Sequence, residues 1–79
     1  MGSSLKVSGE QVLAIIIDEF DLNPERVKVD SRFEEILDSL DCEQLLARIE
    51  EEFSIGIPVD EGKQIKTAQA LAQAINDKV

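Results

Sequence analysis

A chain of 79 residues has room for one core and no more. Seventeen acidic residues against eight basic ones leave a net charge of −9, and there is no histidine. That balance disfavours nucleic acid and anionic membranes and draws proteins with basic patches. With no Tyr, no Trp and three Phe, the core has to be aliphatic. Cys42 is the only cysteine, so no intramolecular disulfide forms. A short chain without disulfides suits a reducing compartment, and a cytoplasmic location is expected. The longest strongly apolar run, "VLAIII" (Val12 to Ile17), is too short to cross a bilayer, so membrane insertion is not expected.

The opening "MGSSLK" lacks the apolar core of a signal peptide. Residues 1–7 are expected to be a flexible N-terminus and 8–79 a single domain. "SGEQVLAIIIDEF" then reads as the first helix, at about 9–20. Ser8 and Gln11 match a capping box, S-x-x-Q. Val12, Ile16 and Phe20 recur every fourth residue, with Leu13 and Ile17 beside them. Three consecutive isoleucines lower helix propensity, so burial of the stripe has to outweigh that cost.

Asn23-Pro24 breaks this helix and opens a long connection, "DLNPERVKVDSRFEEIL". Leu22, Val27, Val29, Phe33, Ile36 and Leu37 are spaced irregularly along it, as pins that hold an ordered loop to the core. A loop this long in a small domain points to function. Asp38 is a good N-cap for a second helix over about 39–53. There Cys42, Leu45, Leu46, Ile49 and Phe53 form the apolar stripe, and Asp41, Glu43, Glu50, Glu51 and Glu52 lie largely off it. Gly56 is read as ending that helix region, and Asp60–Gln64 as a short helical turn. Thr67 caps a last helix that turns Ala68, Leu71, Ala72, Ile75 and Val79 inward. The expected fold is all-α: three main helices and a short helical turn, with a long ordered loop between the first two helices.

The chemistry of an enzyme is not expected here. Without histidine there is no Ser-His-Asp or Cys-His nucleophile system. One cysteine and no histidine do not make a zinc site, and no Gly-rich phosphate loop is present. One residue stands out. Ser39 falls in the first turn of the second helix, where free N–H groups and the positive end of the helix dipole favour a phosphate. It is badly placed to attack a substrate unaided and well placed to be modified. The plainer reading is that Ser39 is a residue of the helix cap.

The surrounding residues make the resemblance specific. "DSLDCEQLLARIEEEFSIGIP", preceded by "LNPERVKVDSRFEEI" and followed by "GKQIKTAQALAQAI", resembles the acyl carrier protein family in order and spacing over residues 8–77. The resemblance implies a carrier domain over 8–79 with 4′-phosphopantetheine attached covalently to Ser39, flanked by Asp38 and Leu40. Acyl groups would ride on that arm as thioesters. It implies a phosphopantetheinyl transferase as partner, together with acyl-loading and acyl-processing enzymes of fatty-acid, polyketide or related biosynthesis. Their basic docking patches would meet Asp41, Glu43, Ala47, Glu50 and Glu51, with Asp38 beside them. No nucleic-acid partner is implied, and a monomer is expected. The competing readings are an unmodified acidic module that only binds proteins, and a peptidyl or D-alanyl carrier. "Asp-Ser-Leu-Asp" and the acidic helix look more like acyl carriers.

The chain also departs from the family pattern. "EEILDSL" lacks the glycine that many members carry before Asp-Ser-Leu, and the loop is shorter. A position free to adopt φ > 0 is thereby lost, and a different backbone path into Ser39 is expected. Glu43 and Ala47 stand where members usually have larger apolar residues, and Arg48 puts a positive charge on the acidic helix. These departures point to a dedicated carrier of a specialised pathway.

Overall fold

The computed structural model describes residues 6–78; Met1–Leu5 and Val79 lie outside the described residues. Five helices follow in order: α1 (Gly9–Phe20), α2 (Phe33–Ile36), α3 (Ser39–Phe53), α4 (Val59–Gln64) and α5 (Ala68–Lys78). No strand occurs among the described residues. The three longer helices are those expected, with the same bounds for the first two.

Local signals start each of them. The Gln11 amide donates to Ser8 Oγ at 3.1 Å, and the Ser8 amide donates to Gln11 Oε1 at 2.8 Å, a complete capping box for α1. The Asp41 amide donates to Asp38 Oδ1 at 2.8 Å and caps α3. The Ala70 amide donates to Thr67 Oγ1 at 3.1 Å at the head of α5.

The apolar stripes meet in one core. Val12 and Ile16 from α1, Leu45 and Ile49 from α3, and Leu71 and Ile75 from α5 are fully buried. Burying side chains of this size contributes about 1.5–3 kcal/mol each, which offsets the poor propensity of the isoleucine run. Leu13, Phe20, Cys42, Leu46 and Phe53 pack on its edge, half-buried. Val79, expected to face inward, lies outside the described residues. The most extensive backbone contact between helices joins α1 to α5. It is close because residue 9 is a glycine: a Cβ there would stand 3.3 Å from the Gln69 Cα.

The long connection is ordered, as its pins imply. Val27, Phe33 and Leu37 are buried, and Leu22, Val29 and Ile36 half-buried. Asn23 and Pro24 make a tight turn, with the Glu25 amide on Asn23 Oδ1 at 2.9 Å and the Arg26 amide on the Asn23 carbonyl at 2.9 Å. The four-residue helix α2 inside this connection was not expected from sequence. No side chain caps it; its first amide, Phe33 N–H, donates instead to the Lys66 carbonyl at 2.7 Å. Its start therefore depends on a segment more than thirty residues away, which no local pattern announces.

Three details correct the expectations. The residue that ends α3 is Ser54, not Gly56: Ser54 sits in the left-handed region at φ 56°, and no described glycine has positive φ. The short turn begins at Val59, one residue before the expected start. Val7, assigned to a flexible N-terminus, is buried and clamped. Its amide donates to Asn76 Oδ1 at 2.7 Å, and Asn76 Nδ2 donates to its carbonyl at 2.8 Å.

Candidate functional site

Ser39 is the first residue of α3 and is exposed. The cap is made by the carboxylate of Asp38, one residue earlier, so the Ser39 hydroxyl stands outside the capping arrangement. The Cys42 amide is satisfied by the Asp38 carbonyl at 3.0 Å, and the Asp41 amide by the Asp38 side chain. The amides of Ser39 and Leu40 are those the helix cannot satisfy itself. An exposed hydroxyl beside two such N–H groups, at the positive end of a 15-residue helix, suits a phosphate ester.

The chain enters this point without a glycine and without strain. Leu37 (φ −136°, ψ 149°) and Asp38 (φ −88°, ψ 179°) are both extended, a conformation any residue adopts. Leu37 is buried and its amide donates to the Phe33 carbonyl at 2.7 Å, which anchors the approach. The approach to Ser39 is thus an extended path that starts at the end of α2 and needs no positive φ.

At 3.6 residues per turn, the exposed side of α3 resolves into a crest and two flanks. Leu40, Gln44, Ala47 and Glu51 form the crest, and all four are exposed. Leu40, next to Ser39, is 66% exposed, one of the few large apolar side chains open to solvent among the described residues. Asp41, Arg48 and Glu52 fall on one flank; Ser39, Glu43 and Glu50 fall on the other. The flank of Arg48 faces α1, because Arg48 Nη1 pairs with Glu19 Oε1. Its Nε lies 3.5 Å from Glu52 Oε1. The opposite flank faces α4: a Cβ at Gly62 would touch Leu46 Cδ1 at 2.8 Å.

The acidic residues therefore differ in their duties. Glu43 and Glu51 are exposed; Asp41 is half-buried at the first turn. Glu50 has a further bond. It is half-buried, and its Oε2 accepts the Ile57 amide at 2.7 Å, tying the loop after α3 back to the helix. The i, i+4 spacing of Arg48 and Glu52 is readable in the sequence. The partners Glu19 for Arg48 and Ile57 for Glu50 come from other segments and are not.

Cys42, one turn after Ser39, is half-buried against the core. Burial pushes its thiol pKa up, and Asp41 and Asp38 push the same way against Lys66. A thiol held in its neutral form is a poor nucleophile at neutral pH. Among the described residues no group of side chains could hold a metal ion. No described helix is long and apolar enough to cross a membrane.

The described residues thus form a small all-α bundle with an exposed serine at the start of α3. Residues 10–75 match the family model described as "Phosphopantetheine attachment site". The chain is similar to the acyl carrier protein of Thermosynechococcus vestitus, with 42% identity over 72 residues, covering 89% of each chain. It is similar to that of Chlamydia trachomatis serovar D, with 39% identity over 71 residues, 87% of this chain and 92% of the relative. With the acyl carrier protein of Helicobacter hepaticus it shares 42% identity over 62 residues, 76% and 82% of the two chains. The chain belongs to the phosphopantetheine-attachment-site family, and its prosthetic group is 4′-phosphopantetheine. Its relatives are named as carriers, and it is a carrier and not a catalyst. Membership implies a phosphopantetheinyl transferase and acyl-processing enzymes as partners.

Proposed function

We propose that this protein is a discrete acyl carrier whose 4′-phosphopantetheine is linked through a phosphodiester to Ser39 Oγ. The observation that carries the reading is the exposed Ser39 hydroxyl at the start of α3, outside the cap that Asp38 makes. The free amides of Ser39 and Leu40 would hold the phosphate, and Leu40 offers an apolar surface where the arm leaves the helix. The arm's thiol carries the acyl group as a thioester and confines it near one enzyme after another, which raises its effective concentration. Cys42 is not that thiol, being half-buried beneath the helix.

Partners with basic patches would dock on α3, because a receiving active site has to approach the residue that bears the arm. Glu43, Glu51 and Asp41 supply the charge for steering, and Leu40 and Ala47 the apolar contact. Glu50 contributes to the same face while holding the Ile57 amide. The exposed side of α3 is small at Ala47 on the crest and charged at Glu43 on its flank, which suits a dedicated carrier. The protein acts as a monomer in the cytoplasm, and its carrier domain includes Val7, which is pinned to Asn76. The family match over residues 10–75 supports the carrier reading over that of an unmodified binding module.

Intact-mass measurement after incubation with coenzyme A and a broad-specificity phosphopantetheinyl transferase tests the assignment. The wild-type chain should gain one phosphopantetheine. Ser39→Ala should gain none and keep its helical circular dichroism, since the cap belongs to Asp38. A Ser39→Ala chain that is still modified would refute the site.

A further inference from the structure

Arg48 is the only basic residue between Phe33 and Gly62, a stretch that includes Asp38, Asp41, Glu43, Glu50, Glu51 and Glu52. It does not stand free in that field. Its guanidinium bridges Glu19 of α1 and Glu52 of α3, and about a third of the Arg48 and Glu19 side chains remains exposed. Ion pairs this exposed contribute little to stability, so fold stability is a weak reason for the arrangement. The arrangement also alters the charge presented to a partner. The cluster of Arg48, Glu19 and Glu52 carries one net negative charge where two bare carboxylates would carry two. It also lies beside the crest residues Ala47 and Glu51.

Resting on the assignment of the arm to Ser39, we propose that Arg48 is a specificity-determining residue of the carrier. By holding Glu19 and Glu52 in an internal ion-pair cluster, it limits how strongly α3 attracts the cationic face of the transferase that loads Ser39. The acidic signal is thereby confined to Asp41, Glu43 and Glu51, near the serine and along the crest. A transferase that needs a long acidic stripe is disfavoured, and one that reads the short patch beside Leu40 is retained. Glu19, on a different helix and far from Ser39 in sequence, becomes part of the recognition system because it fixes the cation's place.

The test is the initial rate of phosphopantetheine transfer from coenzyme A by the broad-specificity transferase. It is followed by intact mass across a salt series, with circular dichroism to confirm that each variant is folded. At low salt Arg48→Gln should be loaded about threefold faster, the size of effect expected for one unit charge several ångströms from a partner's charge in water. Glu19→Gln, which leaves the cation less compensated, should be slower by a similar factor. The Arg48→Gln/Glu19→Gln double variant should return close to wild type. At about 1 M salt, where the screening length is about 3 Å, the rates should converge. Lys6→Gln is the positional control. It makes the same change in net charge in a groove lined by the N-terminal segment, Val29 and α5, with no residue of α3, and should leave the rate unchanged. An Arg48→Gln rate equal to wild type at low salt overturns the proposal, as does a Lys6→Gln acceleration as large as that of Arg48→Gln. A wild-type chain that gains no mass overturns the Ser39 assignment itself, and is recognised because no variant gains mass either.

Discussion

Glu50 and Glu51 are neighbours with the same side chain and opposite situations. Glu51 is exposed on the crest of α3, whereas the Glu50 carboxylate accepts the partly buried Ile57 amide at 2.7 Å. Removing the acceptor leaves that amide without its partner, and a hydrogen bond to a charged group is worth about 1.5–3 kcal/mol. Glu50→Ala should therefore lower the urea midpoint by an amount corresponding to about 1–3 kcal/mol. Glu51→Ala should move it by no more than about 0.5 kcal/mol, as is usual for surface positions. Equal midpoints for the two variants would remove the structural role assigned to Glu50. The family resemblance implies a docking role for both residues alike, and helical spacing cannot separate them, because it tells which side of a helix a residue faces and not which loop passes over it. Ser39 and its neighbour Asp38 were legible for the opposite reason. The N-cap bond spans three residues, Asp38 to Asp41, and its signal is wholly local.

The end of α3 shows how an element can be placed correctly and its boundary explained by the wrong residue. The 15-residue span follows from the stripe of Leu45, Leu46, Ile49 and Phe53. Gly56 looked like its terminator because glycine is the usual left-handed residue after a helix. Instead Ser54 takes the left-handed conformation, its amide donating to the Glu50 carbonyl, and Gly56 has no positive φ. A side chain in that region costs about 1–2 kcal/mol relative to its preferred conformations. Ser54→Gly should thus stabilise the domain by about 0.5–1 kcal/mol. Gly56→Ala should also stabilise it, by about 0.4–1 kcal/mol, since a Cβ there meets nothing within 4 Å and the unfolded chain loses freedom. Denaturant melts of the two single variants check both signs; a destabilised Gly56→Ala would contradict the open surroundings of that residue. The helix α2 escaped notice on the same level. Four residues without a side-chain cap have no periodicity to read, and the bond that starts them comes from Lys66.

On the scale of the whole molecule, the three long helices were legible because their stripes converge on one aliphatic core of Val12, Ile16, Leu45, Ile49, Leu71 and Ile75. How the helices are arranged was not, because the contacts that fix it are long-range. Lys66 holds Phe33, Val29 accepts the Gln69 amide at 3.0 Å, and Glu19 meets Arg48. The consequence for function is a division of the surface. The end of α3 that holds Ser39 is assembled from local signals and an extended approach, whereas the charges around it are apportioned by partners on α1 and on the loop before α4.

The clamp between Val7 and Asn76 joins residues 69 positions apart and brings the two ends of the described chain together. The same is true of α1 and α5, whose packing is the most extensive between helices and the most distant in sequence. In an otherwise local helical bundle this pairing carries the largest loop-closure entropy, and the search for it slows folding. Circular permutation would make it local: a short flexible linker joins the old ends, and new ends are opened at the exposed turn after Asn23. Such a chain should fold faster, with the gain confined to the folding limb of its chevron plot. Because the break lies outside α2 and α3, phosphopantetheine should still be accepted at Ser39. A permutant that folds no faster would show that the pairing of α1 with α5 forms only after the rate-limiting step.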